Sequence, residues 1–151
     1  MIHYDQYRPT RYILVLLLFL GCGQLLSQTT DANALLGSWQ FDSASSFAQR
    51  AEATKAVVEA HPEIQSKIMA SYVGKSISFF ENGDYQQQLG DGSNASGRWS
   101  TDGGSLLIST SDGSVYRFSF GINGDQLLLQ TISDDPGYKS LVPNQYFTKI
   151  Q

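Results

Sequence analysis

Side chains that could carry out acid–base, nucleophilic or metal chemistry are few in this 151-residue sequence, and they do not cluster. His61 precedes Pro62 between two helical patterns, so we interpret it as a helix-junction residue rather than as a catalytic base. Cys22 is the sole cysteine, which leaves no partner for an internal disulfide and no His/Cys set for zinc. The sequence therefore predicts no catalytic residue and no enzymatic activity.

Four aspartates beside glycines, Asp91, Asp102, Asp112 and Asp125, suggest calcium binding at first sight. Turn chemistry explains their positions, and no Asp-x-Asp-x-Asp loop is present. We therefore expect no bound metal and no cofactor. The net charge of −4 and the lack of any run of lysines and arginines argue against nucleic acid and against docking on anionic lipid head groups.

The remaining candidates for a site are aromatic and amide side chains in segments of alternating polarity. Residues 114–121 place three aromatic side chains on one face, and residues 84–90 do the same with a tyrosine and a glutamine. An apolar lining with a few polar points is typical of a small-molecule site, although a packed core uses the same residues. The predicted ligand-binding residues are Tyr85, Gln87, Trp99, Tyr116, Phe118 and Phe120.

Residues 1–28 have the pattern of a secretory signal peptide. Arg8 and Arg11 precede an apolar run over 12–20, and small and polar residues follow it. The run is too short to cross a bilayer, which takes about 20 residues.

Two cleavage sites are compatible with this leader. Cleavage before Cys22 would free that cysteine for acylation, as in bacterial lipoproteins, and predicts an exported protein anchored in the cell envelope by its lipid alone. Cleavage near Gln28 would discard Cys22 and predicts a soluble secreted or periplasmic protein. In either case residues 29–34 are expected to be a short tether, and residues 35–151 the folded domain.

Residues 43–74 show helical periodicity. Apolar or small residues recur at spacings of three and four on both sides of Pro62, which suits the first turn of a helix, and Gly74 suits a helix end. The pattern predicts two short helices, the first capped by Ser45 or Ser46.

Asn-Gly and Asp-Gly pairs recur every 9 to 11 residues from Asn82 to Gly124. These dipeptides favour two-residue type I′ hairpins, in which both central residues have positive φ. The predicted strands are 35–42, 75–81, 84–90, 96–101, 105–111, 114–121, 125–132 and 145–150. Regular short hairpins favour an all-β, eight-stranded, antiparallel up-and-down barrel, because closure removes exposed edges. The two-helix segment 43–74 is then an insertion between its first and second strands.

Several short motifs occur in a suggestive order. Gly37-Ser38-Trp39 resembles the Gly-x-Trp signature of lipocalins. The later segments 79–85, 96–99, 106–108 and 124–129 resemble the succession of hairpins in bacterial lipocalin-like domains, which are often secreted or lipid-anchored. The resemblance implies a barrel with a mouth at one end, covered by the long 43–74 connection as a lid. It also implies a basic residue near the last strand that pairs with Trp39, for which Lys149 is the candidate.

Two functions remain open. In the first, the barrel binds a small, mostly apolar ligand; an interior cavity above about 300 Å³ would favour this function, and a filled interior would count against it. In the second, the barrel is filled and its outer face binds a protein partner in the envelope as a structural or interaction module. Apolar residues on outer faces would indicate the second function, and the candidates are Phe80, Leu107, Leu128 and Phe147.

Overall fold

The computed structural model describes residues 31–50, 52–135, 137 and 140–150. The predicted leader, including Cys22, lies outside these residues, as do residues 29 and 30 of the predicted tether. The described helices are α1 (Ala32–Leu35), α2 (Ser43–Ala48), α3 (Glu52–Ala60) and α4 (Pro62–Tyr72). The described strands are β1 (Gly37–Phe41), β2 (Ser76–Phe79), β3 (Asp84–Gln88), β4 (Asn94–Asp102), β5 (Ser105–Thr110), β6 (Val115–Asn123), β7 (Gln126–Ile132) and β8 (Asn144–Lys149).

These eight strands form a closed antiparallel barrel in chain order, which confirms the predicted fold class. Each strand pairs with its sequence neighbours, and β1 pairs with β8 to close the ring. Inward side chains alternate with outward ones, as a pleated strand requires. The core is built from those inward positions, with Trp39, Phe79, Leu106 and Leu127 at most 1% exposed.

Three of the hairpin turns differ from the type I′ expectation. Among the described residues, positive φ is confined to glycines, so Asn82, Asp91 and Asp112 do not adopt it. Instead Gly83, Gly92 and Gly113 end hydrogen-bonded turns with positive φ. The preceding Asn or Asp side chain accepts the backbone N–H two residues further on. These three loops are longer than two residues, and their Asn and Asp side chains are turn residues, whereas β4 and β5 are joined by the two-residue loop Gly103-Gly104, in which both residues have positive φ.

One end of the barrel is closed by α1. Leu35 of this short helix is fully buried, and its carbonyl accepts a hydrogen bond of 2.7 Å from Trp39 Nε1. Lys149 Nζ lies 4.9 Å from the centroid of the Trp39 ring, so the basic partner expected for this tryptophan is present. Residues 31–34 of the predicted tether therefore belong to the folded domain, and β1 begins at Gly37 rather than at Leu35.

The 43–74 insertion is helical, but it contains three helices rather than two. The prediction missed the break after α2, which has no proline or glycine to mark it. Asp42, not Ser45 or Ser46, caps α2 and accepts hydrogen bonds from the backbone and side chain of Ser45. Ser46 is buried and accepts the backbone N–H of Tyr146, which ties α2 to β8. Pro62 opens α4 as predicted, and Gly74 follows that helix with positive φ.

The insertion leaves β1 and returns to β2 at the end of the barrel opposite α1. The C-terminal end of α4 contacts the β3–β4 turn there, where Gly90 N–H donates to the carbonyl of Ser71 at 3.1 Å. This end is called the mouth below. The insertion is attached to the barrel at two points. Ser46 of α2 bonds to β8, and Ser71 of α4 bonds to the β3–β4 turn.

Candidate functional site

A cavity of about 280 Å³ lies inside the barrel at the mouth. Ser71 and Tyr72 of α4 contribute to its lining, and strands β2 to β8 supply most of the rest. Its volume is just below the range of about 300–1,000 Å³ typical of ligand pockets. The barrel is therefore neither completely filled nor large enough for a bulky ligand.

The polarity of the cavity wall changes along the barrel axis. On β5 the inward side chains run from Leu106 through Ile108 to Thr110 towards the mouth, and β7 repeats this with Leu127, Leu129 and Thr131. On both strands the last inward position before the mouth is a threonine. The inner part of the cavity is thus apolar, and its mouth carries hydrogen-bonding groups.

Lys75 is the most unusual side chain of the wall. It precedes β2 and shares the inward face with Ile77 and Phe79, and it is only 8% exposed. Its backbone is fixed, because its carbonyl accepts from Phe41 N at 2.8 Å and from Gln40 Nε2 at 2.9 Å.

The Lys75 ammonium has few partners. Its Nζ donates to Gln145 Oε1 at 2.9 Å and lies 5.1 Å from the ring centroid of Tyr72 and 5.6 Å from that of Phe147. Burial disfavours the charged form and lowers the pKa of Lys75 to about 8. No carboxylate of the described residues lies within ion-pair distance of Lys75.

A second polar pair lies on the wall formed by β3. The Tyr85 hydroxyl donates to Gln87 Oε1 at 2.8 Å, and both residues line the cavity. Burial raises the pKa of the Tyr85 phenol, with Tyr116 as the smaller cause. Tyr85 therefore stays neutral at physiological pH and remains a hydrogen-bond donor.

Among the described residues that line the cavity, one is acidic, Asp112 of the β5–β6 turn. Its carboxylate accepts from Thr110 Oγ1 at 2.6 Å and from Ser114 N at 3.0 Å. The bond from the Thr110 hydroxyl is the main cause that lowers the pKa of Asp112. The charge of Asp112 is thus already stabilised within its own turn.

Four of the six predicted site residues, Tyr85, Gln87, Tyr116 and Phe118, line the cavity together. Trp99 and Phe120 do not line it. The Trp99 ring packs edge-on against Phe79 with centroids 5.4 Å apart, and its Nε1 donates to the Phe80 carbonyl. Phe120 is buried in the core opposite Leu129.

Sequence reasoning missed the polar side of the site, chiefly Lys75, Thr110, Thr131 and Gln145. Each of these residues continues the inward alternation of its strand by one step towards the mouth. That alternation was the available signal for Lys75, Thr110 and Thr131, whereas the outward assignment of Phe147 hid Gln145 on the same face of β8. Because these residues are polar and lie at or next to the ends of strands, they were not assigned to the inward face.

Arg50, just after α2, is a second cation with unsatisfied donors. Its guanidinium carbon lies 4.1 Å from the Phe47 ring centroid, and Nε and Nη2 are buried with no hydrogen-bond partner among the described residues. Burial lowers the pKa of Arg50. Arg50 does not line the cavity, so it adds positive charge to the lid rather than a contact in the site.

A second depression of about 450 Å³ lies on the outer face of β2, β3 and β4. It is larger than the mouth cavity, but serines, glutamines and an asparagine dominate its lining. Ligand sites are usually enclosed and mostly apolar, and the mouth cavity, which lies inside the barrel, has the more apolar lining of the two. We therefore take the mouth cavity as the candidate site.

The four apolar residues that the sequence assigned to outer faces differ in their exposure to solvent. Phe80 is 42% exposed, and Leu107 and Leu128 are half-buried. The outward assignment of Phe147 was wrong, because Phe147 is fully buried and its ring packs against that of Phe41. The adjacent aromatic residues Tyr146 and Phe147 made the inward face of β8 ambiguous in the sequence.

His61 lies at the N-terminus of α4, where its Nδ1 is 3.1 Å from Glu63 Oε1. Within the described residues, no group of three histidine, cysteine or acidic side chains is placed to hold a metal ion. The same residues include no helix long and apolar enough to cross a membrane.

A scan against protein-family models found no family that matches this chain. A search of curated proteins found no relative either.

Proposed function

We propose that this protein is a lipocalin-like binding module, without enzymatic activity, that holds one small ligand in the mouth cavity. The observation that carries the proposal is the cavity itself, a space of about 280 Å³ inside the barrel whose lining combines apolar and hydrogen-bonding side chains, with α4 against it. Such a mixture of apolar walls and a few hydrogen-bonding groups is what small-molecule sites use. The modest volume restricts the ligand to a small molecule.

The closed end of the barrel supports the lipocalin-like part of the proposal. Trp39 is buried above α1, and Lys149 stacks on its ring, as the resemblance leads us to expect. Neither contact touches the ligand cavity. They stabilise the closed end of the barrel, and the proposed ligand site lies at the mouth, at the opposite end.

For the location we propose export, with Cys22 as a lipid attachment point in the cell envelope. The leader pattern of residues 1–28 supports export, and Gly21 before Cys22 supports acylation. Secretion in soluble form after cleavage near Gln28 is the alternative. The proposal includes no nucleic-acid partner, because the net charge is −4 and no basic run is present.

The test is binding of the neutral dye N-phenylnaphthylamine, followed by its fluorescence. We expect the wild-type chain to bind the dye and Thr131→Trp, which would fill the mouth, to weaken binding about tenfold or more. Gln130→Trp is the matched control, since residue 130 is the exposed neighbour on the outer face of β7. Thermal melts by circular dichroism check that both variants fold.

Equal loss of dye binding in both variants, or no binding to the folded wild-type chain, would contradict a ligand site in the cavity. The second outcome would favour the filled-barrel alternative, in which the outer face binds a protein partner.

A further inference from the structure

We propose that the ligand is a small amphiphile with a single anionic head group, carboxylate or sulfonate in type. Its head would bind the Lys75 ammonium at the mouth, and its tail would extend towards the closed end of the barrel. This inference rests on the proposed binding function and adds the chemical class of the ligand.

The first argument is the uncompensated charge of Lys75. A buried ammonium is normally paired with a carboxylate or otherwise fully hydrogen-bonded, because leaving water is costly. Lys75 is 8% exposed, and no described carboxylate pairs with it. A lysine held in this way weakens the fold, which is understandable if a ligand supplies the missing anion.

The second argument is the count of hydrogen-bond donors. A lysine ammonium has three N–H donors, and Gln145 Oε1 accepts one of them. The Tyr72 and Phe147 rings, at 5.1 and 5.6 Å, give cation–π attraction but no lone pair. Two donors therefore remain for an acceptor in the cavity, and a carboxylate has the oxygen atoms to take both.

The third argument is the direction of the polarity gradient. Beyond Lys75 the wall becomes apolar, with Ile77, Ile108, Leu129 and Phe147 buried around the inner cavity. An apolar tail would lie against these side chains and gain about 0.8 kcal/mol for each methylene removed from water. A head group at the mouth and a tail inside fit the gradient, and the reverse orientation does not.

Asp112 does not supply the missing anion. It lines the same cavity, but its oxygens accept from Thr110 and Ser114, and it forms no ion pair with Lys75. Its position on the rim favours ligands with one negative charge over those with several, since a second anionic group would approach it. The cavity volume of about 280 Å³ favours a short tail.

The test is isothermal titration calorimetry of the full chain with octanoate and with octanol at neutral pH. We expect octanoate to bind about ten- to a hundredfold more tightly than octanol, as a charge-assisted hydrogen bond would give. Lys75→Met should remove this preference and leave octanol affinity within about threefold. Lys67→Met, at an exposed position of α4, is the matched control and should keep the preference.

The outcomes separate the two proposals. If octanol binds the wild-type chain as tightly as octanoate, or if Lys75→Met keeps the preference, the anionic class is wrong while the binding function stands. If neither compound binds, and N-phenylnaphthylamine does not bind either, the binding function itself fails. Thermal melts of Lys75→Met should show no loss of stability, so that a fall in octanoate affinity cannot come from unfolding.

Discussion

Lys75 illustrates how one residue can oppose the stability of the fold that holds it. Its ammonium is removed from water, and Gln145 with two aromatic rings replaces only part of the lost hydration. The titratable groups that share its cavity are Tyr72, Tyr85, Tyr116 and Asp112. Asp112 is the one acidic residue among them, and its own turn stabilises its charge.

The burial of Lys75 predicts a pH dependence of stability. Its pKa falls from 10.5 in the unfolded chain to about 8 in the fold, which costs about 3 kcal/mol while both states are protonated. Below pH 8 Lys75 is protonated in both states, and the fold bears the whole free-energy cost of burying its charge. Between pH 8 and 10.5 the unfolded chain binds more protons, so the free energy of unfolding should rise with pH, and above that window the cost is gone.

The measurement is urea unfolding of the wild-type chain and of Lys75→Met at several pH values between 7 and 10. Lys75→Met should be the more stable protein at pH 7, and the difference should shrink towards pH 10. Taking the difference removes the contribution of other groups, such as Tyr85, whose raised pKa acts in the opposite direction above pH 10. A difference that stays constant with pH would contradict the assigned burial of the charge.

At the scale of elements, α4 is held at the mouth by a close backbone approach. A Cβ on Gly90 would lie 1.8 Å from the Val73 carbonyl oxygen and 2.6 Å from that of Ala70. No side chain fits there, so only glycine allows the β3–β4 turn to receive the end of α4. The hydrogen bond from Gly90 N to Ser71 O depends on the same approach.

Gly90→Ala should therefore detach the end of α4 from the barrel at a cost of about 1–3 kcal/mol. We expect faster amide hydrogen exchange over α4 than in the wild-type chain, with little change in β5 to β7. Gly92→Ala in the same turn is the control, because it meets no neighbour and strains only its positive φ. If both variants accelerate exchange in α4 equally, the contact at Gly90 does not hold the lid.

The helix α1 acts at the opposite end of the barrel. Leu35 is fully buried beneath Trp39, although the helix has only four residues. Leu35→Ala should lower the free energy of unfolding by about 2–5 kcal/mol, because it leaves a cavity in the closed end. Leu36→Ala, at a half-buried position, should cost less, and equal losses in chemical denaturation would contradict this role of α1.

At the scale of the whole molecule, the two ends of the barrel have different roles: the closed end contributes to stability, and the mouth carries the proposed binding site. The closed end concentrates large buried side chains, whereas the mouth carries the cavity, the buried lysine and the helical insertion. A tether from an N-terminal lipid would reach α1, at the closed end. The proposed anchor would therefore leave the mouth free for a ligand.

The anchor predicts covalent lipid on Cys22. Metabolic labelling with a palmitate analogue in a bacterial host should label the wild-type chain and not Cys22→Ser. Ala95→Ser, a substitution inside the domain, is the control and should be labelled like the wild-type chain. Equal labelling of the wild-type chain and Cys22→Ser would exclude this attachment site.

The topology of the barrel could be predicted from the sequence because its causes are local. Regularly spaced Asn-Gly and Asp-Gly turns force short hairpins, and alternation assigns each strand two faces, so the chain order and most inward residues follow. Tyr85, Gln87, Tyr116 and Phe118 could be assigned to the cavity for the same reason. Even the contact of Lys149 with Trp39 was expected from a resemblance over short motifs.

Tertiary structure alone decided which inward residues meet at a cavity and which pack in the core. Trp99 and Phe120 were assigned to inward faces like Phe118, but Trp99 packs against Phe79 and Phe120 is buried in the core, so neither lines the cavity. No local pattern marks Lys75 as buried, and it is the neighbouring strands and α4 that enclose it. Burial depends on what lies across the barrel, and that information is distributed over distant segments rather than carried by any local pattern.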